Sequence, residues 1–333
     1  MAFELHLQII TRSSQGPTIL HMRYYFLLLS ILFLSSGCSS FKSGNDYIFH
    51  SASGKAQYLS SYDQALKLWN IPLEETDVKT KYGTAHVVMS GPTTGESVIL
   101  FHGMDASSTM WFPNVKEISK DYRVYAIDFP LETGKSLANT NKLSNLQIAL
   151  FYNEVFDYFK MKDINLLGAS RGGWMATYLA LQPESNIKKI ILLSPAQTFG
   201  GIQKPGQVLT AVMLKLFPSQ KKLASFFNSF SLYPDKIDNL YKQQFYLANV
   251  YGSSKPRFLN MMRFSDKELQ SLKIPVLVLV GDHDIVNNEK ALIKAHQLIP
   301  NVETAYIKNA GHFLSIDQAD TVNTKIVRFL KNH

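Results

Sequence analysis

The sequence contains a single cysteine, Cys38, among its 333 residues, so no disulfide bond can form within the chain. The one strongly apolar run, residues 24–34, is too short to span a bilayer, which takes roughly 20 apolar residues. Lysines and arginines are scattered, and no basic helix or stripe of the kind that binds nucleic acid is present. These three absences argue against a disulfide-rich scaffold, a spanning helix at residues 24–34 and a nucleic-acid-binding module.

The composition is that of an ordinary globular protein. Hydrophobic residues make up 46% of the chain and charged residues 18%, which disfavours a disordered or fibrous class. The length suffices for one large domain with a sizeable core. The formal net charge of +8 indicates either attraction to anionic surfaces, such as a membrane, or simply a solvated basic surface.

The N-terminus has the layout of an export signal. Arg23 precedes the apolar run, and the small residues Ser35, Ser36 and Gly37 follow it. Residues 1–37 are therefore interpreted as a signal peptide. A start at Met22 gives a signal of ordinary length, and we expect it to be the true start.

Cys38 resembles the lipidated cysteine of a bacterial lipobox, although Ser35 stands where such motifs usually carry leucine. We expect lipidation of Cys38, which would anchor the exported protein to the outer face of a membrane; simple cleavage or a free cysteine are the alternatives. Residues 38–54, rich in Ser, Gly, Asn and Lys, are expected to form a flexible tether.

Strand and helix patterns alternate along the rest of the chain. A helix with an apolar face is predicted over residues 55–70, and near-continuous apolar strands separated by helices then indicate a parallel sheet covered on both faces. The exception is residues 197–272, which lack a good strand and are rich in aromatics and methionines. We interpret this segment as a helical cap inserted into an α/β core formed by residues 55–196 and 273–333.

Residues 168–172 (GASRG) match the G-x-S-x-G motif, with Ser170 at its centre. An apolar strand runs directly into the motif and a helical stretch follows, which is the context that a nucleophile on a tight strand-to-helix turn requires. A Gly-rich turn that merely packs a helix on a strand is the alternative. Ser170 is predicted to be a nucleophile.

A serine hydroxyl needs a base to take its proton. Of the nine histidines, His312 follows the last predicted strand on a Gly-containing loop, where a base could reach Ser170. A carboxylate must then orient that base, and the loop after residues 275–280 offers both Asp282 and Asp284. A metal site at residues 282–284 is disfavoured because three adjacent side chains point in different directions.

The tetrahedral intermediate of such a reaction needs hydrogen-bond donors for its oxyanion. The turn at His102 and Gly103 ends a strand, and its glycine allows close approach of the backbone. We assign the backbone amides of Met104 and Arg171 to this role and expect their side chains to matter less. The turn could also be no more than the end of a strand.

These residues together resemble the α/β-hydrolase superfamily, over about residues 71–331. The resemblance implies an α/β-hydrolase fold, and because the catalytic carboxylate of that family stands three residues after the loop glycine, it favours Asp284 over Asp282. Segments such as SSTMWFPN, LSPAQTF and IKNAGHFLS are similar to the naproxen-esterase type of bacterial carboxylesterase.

The expected function is therefore a serine carboxylesterase that hydrolyses a small apolar ester through an acyl-enzyme intermediate, without a metal or organic cofactor. One alternative is another reaction of the same triad, on a thioester, lactone, amide or carbon–carbon bond, or acyl transfer. Another is a ligand-binding lipoprotein with slow turnover. The expected partners are a small-molecule ester and a membrane, with no nucleic acid.

Overall fold

A mostly parallel sheet forms the centre of the fold in the computed structural model, which describes residues 47–183, 185–253 and 261–333. Its strands are β1 Glu74–Thr80, β2 Gly83–Ser90, β3 Ser97–Phe101, β4 Arg123–Ile127, β5 Leu137–Ala138, β6 Ile164–Ala169, β7 Ile187–Leu193, β8 Val276–Gly281 and β9 Val302–Ile307. In that part of the chain the strand order is β1-β2-β4-β3-β6-β7-β8-β9, with β5 paired to β2. Strand β2 is antiparallel to β1, β4 and β5, and the strands from β4 to β9 in this order are parallel to one another.

Helices cover both faces of this sheet. The α-helices of the described residues are α1 Ala52–Leu66, α2 Val115–Ile118, α3 Asn145–Tyr158, α4 Arg171–Ala180, α5 Pro205–Leu216, α6 Gln220–Phe230, α7 Asn239–Tyr251, α8 Asp266–Ser271, α9 Glu289–Leu298, α10 Leu314–Asp317 and α11 Ala319–Asn332. Helix α3 is capped by Ser144, whose side chain forms a capping box with Gln147. In the described part of the chain, no helix is both long and apolar enough to cross a bilayer.

Alternate residues of each central strand enter two separate apolar cores. In β3, Val98 and Leu100 pack on the side of α1, α2 and α11, whereas Ile99 and Phe101 pack on the side of α3 and α4. Side chains of a strand point to opposite faces, so a strand buried on both faces is apolar at every position. This is why the strands were recognisable as continuous apolar runs.

The chain joins the fold earlier than the sequence indicated. Helix α1 begins at Ala52, capped by Ser51, and buries Tyr58 and Tyr62 as its predicted apolar face requires. The tether predicted for residues 38–54 is wrong at its end, because Ile48 and Phe49 are buried and the amide of Ser253 donates to Ile48 O at 2.6 Å. Composition averaged over the segment hid these apolar residues. Residues 1–46, with the predicted signal peptide and Cys38, lie outside the described residues.

The segment predicted as a cap is helical in its described part, with α5, α6 and α7 between β7 and β8. Its last residues, however, belong to the core. The ring of Phe264 stacks on Trp174 of α4 with centroids 5.4 Å apart, and Leu269 of α8 is fully buried beside the same apolar core. The cap is therefore shorter than residues 197–272, because not all of the aromatic and Met residues in that segment face the cap.

Candidate active site

The G-x-S-x-G motif forms a sharp turn between β6 and α4. Ser170 has φ 51° and ψ −114°, a strained conformation for a residue with a side chain, costing on the order of 1–3 kcal/mol. A side chain at Gly168 or Gly172 would collide with backbone oxygens of Gly172 and Phe101, respectively. The Ser170 amide donates a hydrogen bond to Leu193 O at 2.9 Å. This bond to the neighbouring strand holds Ser170 in its strained conformation.

Three side chains predicted from separate loops meet at this turn. The Nε2 atom of His312 lies 2.9 Å from Ser170 Oγ, and its Nδ1 atom lies 2.8 Å from Asp284 Oδ1. Asp284 and His312 are buried, at 5% exposure each. They follow β8 and β9, and Ser170 follows β6, so the carboxyl ends of parallel strands bring the three together. In this order, hydroxyl, imidazole and carboxylate can pass one proton between serine and histidine.

The surroundings of Asp284 keep its carboxyl group ionised. Burial by itself would raise the pKa of Asp284, but the neighbouring His312 and the hydrogen bond from the Val286 amide at 2.8 Å hold that pKa below its ordinary value. The side-chain amide of Asn287 adds a donor at 3.3 Å. A charged carboxylate in this position stabilises an imidazolium and fixes the orientation of the ring.

The second candidate carboxylate, Asp282, supports the histidine loop from outside. It accepts the backbone amides of Asn309 and Ala310 at 3.0 Å each, and its Oδ1 atom lies 2.8 Å from His283 Nδ1. The residues alone left Asp282 and Asp284 open, and the family resemblance favoured Asp284. In the structure it is Asp284 that contacts the ring of His312. Asp282 fixes the backbone just before His312 rather than its ring.

A third carboxylate, Asp317, was missed by the sequence analysis. It is fully buried and accepts the Gly311 amide at 2.7 Å on one side, and the Leu232 amide at 2.9 Å together with the Ser231 hydroxyl on the other. It therefore ties the loop of His312 to the chain that follows α6 of the cap. No periodicity marks such a residue, because its partners in the cap, Ser231 and Leu232, lie 86 and 85 residues away in the sequence.

The predicted oxyanion donors lie beside the nucleophile. Met104 and Arg171 both line the cavity that contains Ser170 and His312. A side chain at Gly103 would meet the Ser170 Cβ at 3.7 Å, which shows how closely this backbone approaches the serine. The amide of Arg171 is also the first of α4, where the positive end of the helix dipole favours negative charge.

The Arg171 side chain contributes more than the sequence suggested. It is buried, with 6% exposure, and its guanidinium bonds Glu132 Oε1 at 2.5 Å and Gly103 O at 3.3 Å. The guanidinium also lies 3.7 Å from the centroid of the Phe129 ring. The side chain thus joins the turn after the nucleophile to the Gly103 turn.

Glu132 extends these contacts towards the cap. Its Oε2 atom accepts the amide of Asp105 at 2.9 Å, and the Asp105 carboxylate pairs with Lys215 of α5. Burial raises the pKa of Glu132, while the adjacent Arg171 opposes that rise. Arg171 of α4, Glu132 after β4, Asp105 after β3 and Lys215 of the cap thus form one connected set of charged side chains. Of these four residues, the sequence had indicated only Arg171, and only for its backbone amide.

His102 holds the same turn as a neutral imidazole. Its Nε2 atom accepts a hydrogen bond from the Phe129 amide at 2.8 Å and therefore carries no proton. The proton of the neutral ring is then on Nδ1, which donates to Gly103 O at 2.7 Å. Burial and the nearby Arg171 lower the pKa of His102 to about 4. The residue fixes the Gly103 turn, and its proton is committed to a backbone oxygen.

The cavity beside Ser170 is narrow and mostly apolar. It has a volume of about 100 Å³ and is bounded by the core loops on one side and by the cap helices on the other. Aromatic side chains of the cap, among them Phe226, Phe230 and Tyr241, supply much of its wall. Such a cavity can bury an apolar group next to the serine hydroxyl.

The family model described as the alpha/beta hydrolase fold matches residues 96–319. This range contains the serine, the carboxylate and the histidine described above. The sheet order, the sharp serine turn and the cap after β7 agree with that match. The chain belongs to the α/β-hydrolase fold family.

Within this family the chain is similar to carboxylesterases of Bacillus subtilis (strain 168). It is 30% identical over 285 residues to the protein named "uncharacterized carboxylesterase nap", covering 82% of this chain and 92% of the relative. It is 29% identical to carboxylesterase YbfK, covering 82% and 93%. The crystal structure of naproxen esterase (carboxylesterase NP) from Bacillus subtilis superimposes with a TM-score of 0.79 at 29% identity, covering 84% of this chain and 99% of that one. The predicted resemblance to this type of esterase is confirmed.

Proposed function

We propose that the chain is a serine carboxylesterase that hydrolyses small apolar esters through an acyl-enzyme intermediate. The observation that carries the proposal is the continuous hydrogen-bond path from Ser170 through His312 to Asp284 beside an apolar cavity. The similarity to carboxylesterases supports an ester as the substrate.

In the first half-reaction, His312 Nε2 takes the hydroxyl proton while Ser170 Oγ attacks the ester carbonyl carbon. The resulting imidazolium faces the ionised Asp284. The amides of Met104 and Arg171 donate to the oxygen that becomes negative. When the carbon–oxygen bond of the ester breaks, the alcohol leaves with the proton held by His312, and the acyl group stays on Ser170.

In the second half-reaction, His312 takes a proton from water, and the hydroxyl oxygen attacks the acyl carbon. The same two amides stabilise the second oxyanion. Breakdown of this intermediate releases the carboxylic acid and returns the proton to Ser170 Oγ. The residues return to their starting protonation states, as multiple turnover requires.

The apolar lining of the cavity favours an apolar acyl or alcohol group. Its volume of about 100 Å³ favours a small one, or a longer chain only if the cap moves. A panel of p-nitrophenyl esters of graded chain length measures this preference, and we expect kcat/KM to be highest for short chains.

The nucleophile is tested by Ser170→Ala. We expect kcat on a short p-nitrophenyl ester to fall by roughly 10⁶-fold, because the attacking oxygen is lost, and a fluorophosphonate probe to label the wild type but not the variant. Ser225→Ala, on the exposed side of a cap helix, is the control. Activity near wild type in Ser170→Ala contradicts the assignment. A single stoichiometric burst in the wild type, without steady turnover, would instead favour the ligand-binding alternative.

We also propose that the protein is exported and anchored through lipid on Cys38. The apolar run at residues 24–34 and the small residues before the cysteine support this. Metabolic labelling with an alkyne fatty acid in a bacterial host should mark the wild type and not Cys38→Ser. An N-terminal peptide mapping upstream of Met22 would contradict the proposed start.

A further inference from the structure

The cap helix α5 and the residue that follows it, Phe217, expose an apolar surface on the side of the helix that faces away from the cavity. Leu209, Leu216 and Phe217 are 49%, 56% and 60% exposed. With Met213, they fall within an arc of about 100° on the helix, since successive residues are about 100° apart. We call these four residues the outer α5 surface.

The opposite side of α5 is already used by the candidate active site. Val208, Ala211 and Lys215 of this side line the cavity next to Ser170. A surface helix normally carries polar residues on its outward arc. Apart from Lys215, helix α5 is instead apolar both towards the cavity and away from it. An apolar outer side of this kind is typical of a helix whose outer side contacts another apolar surface.

Positive charge surrounds the outer α5 surface. Residues 197–234 include four lysines and no aspartate or glutamate. Lys215 is paired with Asp105 inside the protein, while Lys204, just before α5, and Lys221, in the first turn of α6, are exposed. The ammonium group of Lys222 lies 5.3 Å from the centroid of the Phe217 ring, so charge and apolar surface adjoin.

The exposed apolar residues of helix α3 lack this charge pattern. Helix α3 exposes Leu146 at 51% and Tyr158 at 59%, values close to those of Leu209 and Phe217. The same helix carries Glu154 and Asp157 and no lysine or arginine. Apolar exposure therefore occurs on both helices, but of the two only the outer α5 surface lies in a segment that contains lysines and no acidic residue.

We propose that the outer α5 surface docks on an anionic phospholipid membrane, with its apolar side chains inserted below the headgroups and Lys204 and Lys221 at the phosphates. Docking there would place the cavity of Ser170 next to the lipid phase, in which apolar esters concentrate. This consequence rests on the proposed esterase function, whereas the docking itself does not. A second copy of the chain is a less suitable occupant, because two sets of lysines would repel each other.

The entry of the chain into the fold agrees with this orientation. Ser253, just after α7, bonds to the backbone of Tyr47 and Ile48, and α7 contacts α5. Eight residues lie between Cys38 and Tyr47, a reach of at most about 30 Å. With the proposed lipid on Cys38, the cap side of the protein would stay near the bilayer.

The test uses the full chain with Cys38→Ser, so that no lipid is attached, and a tryptophan probe at position 217. The native tryptophans at 69, 111 and 174 are buried and serve as a constant background. We expect the fluorescence of Phe217→Trp to shift to the blue with vesicles containing phosphatidylglycerol, and to be quenched by brominated acyl chains. The shift should be much smaller with pure phosphatidylcholine and should weaken in high salt.

Tyr158→Trp is the matched control, with nearly equal exposure on the acidic helix α3. A second measurement compares vesicle binding of the triple variant Leu209→Ser/Leu216→Ser/Phe217→Ser with that of the double variant Leu146→Ser/Tyr158→Ser. All these chains carry the same N-terminal residues, so any vesicle binding by that segment is the same in each. We expect the first variant to bind roughly tenfold or more weakly than its parent and the second to bind like its parent.

No shift in Phe217→Trp with anionic vesicles, or an equal shift in Tyr158→Trp, would overturn the docking proposal. A shift that depends on protein concentration without vesicles would overturn it in favour of a second copy. Turnover of a dissolved p-nitrophenyl ester should be equal in all these variants. A chain that binds vesicles but lacks turnover would contradict the esterase function and leave docking intact.

Discussion

Asp282 and Asp284 stand two residues apart on one loop, yet they hold different parts of the histidine loop. Asp284 Oδ1 lies 2.8 Å from the ring of His312, whereas Asp282 accepts the backbone amides of Asn309 and Ala310. One carboxylate acts on the imidazole and the other on the backbone that carries it. The two aspartates can therefore be separated by experiment.

Asp284→Asn should lower kcat by about 10⁴-fold with little change in fold, because an amide cannot stabilise the imidazolium or enforce the required tautomer. Asp282→Asn should keep the His312 contacts but lose acceptor strength for two amides, costing about 1–3 kcal/mol of stability. Steady-state kinetics and urea unfolding of both variants measure these effects. A larger loss of kcat in Asp282→Asn would reverse the two roles.

The buried pair of Arg171 and Glu132 should be strongly coupled. Glu132→Gln leaves the guanidinium without a charged partner and should destabilise the fold by about 3–5 kcal/mol, and Arg171→Met should have a similar effect. In the double variant no unpaired charge remains, so its loss should be well below the sum of the two. A double-mutant cycle of unfolding free energies measures the coupling.

The exposed pair of Lys120 and Glu117 is the control for this cycle. Its residues are 58% and 45% exposed at the side chain, so Glu117→Gln should change stability by less than about 1 kcal/mol. Strict additivity of Glu132→Gln and Arg171→Met would show that the buried pair is not a unit.

His102 should make the fold sensitive to mild acid. Its pKa of about 4 in the folded state lies below the value of about 6.5 expected after unfolding, so the unfolded chain binds the proton first as pH falls. The stability that comes from the neutral ring is complete above about pH 6.5 and is lost as pH falls towards 4. Between pH 7 and pH 5 this loss amounts to about 2 kcal/mol.

His102→Gln keeps an acceptor for the Phe129 amide but does not titrate. Urea unfolding at pH 7 and pH 5 should show the loss in the wild type and not in this variant. The depressed pKa of Asp284 acts in a different window, because the stability from that carboxylate is lost only at more acidic pH. An equal loss in both proteins would contradict the neutral assignment of His102.

The sequence was sufficient for the parts of the fold that follow from local pattern. Buried parallel strands are apolar at every position, so the strands that lead into the Gly103 turn, the serine motif and the aspartate loop, which are β3, β6 and β8, could be recognised as apolar runs. The motif around Ser170 and the position of His312 after the last strand placed both at the same sheet edge. Because both residues follow parallel strands of one sheet, their side chains were expected to meet, and in the structure His312 Nε2 lies 2.9 Å from Ser170 Oγ.

The parts that could not be predicted depend on contacts between distant segments. Glu132 lies in the loop after β4 and Asp317 ends the short helix α10, and neither position shows a repeating pattern. Their side-chain partners Arg171 and Ser231 are 39 and 86 residues away. The burial of Ile48 and Phe49 depends on the end of α7, about 200 residues later. Local composition carries no information on such partners, and for that reason the predicted tether ran into the folded part of the chain.

Trapping the acyl-enzyme tests covalent catalysis by Ser170 most closely. The protein is mixed with a short p-nitrophenyl ester, quenched in acid within milliseconds and digested, and the acylated peptide is identified by mass spectrometry. We expect one acyl group per chain, on Ser170, appearing with the first equivalent of p-nitrophenol and absent from Ser170→Ala. Acylation of a different residue, or steady product release from a chain in which Ser170 is never acylated, would contradict this expectation.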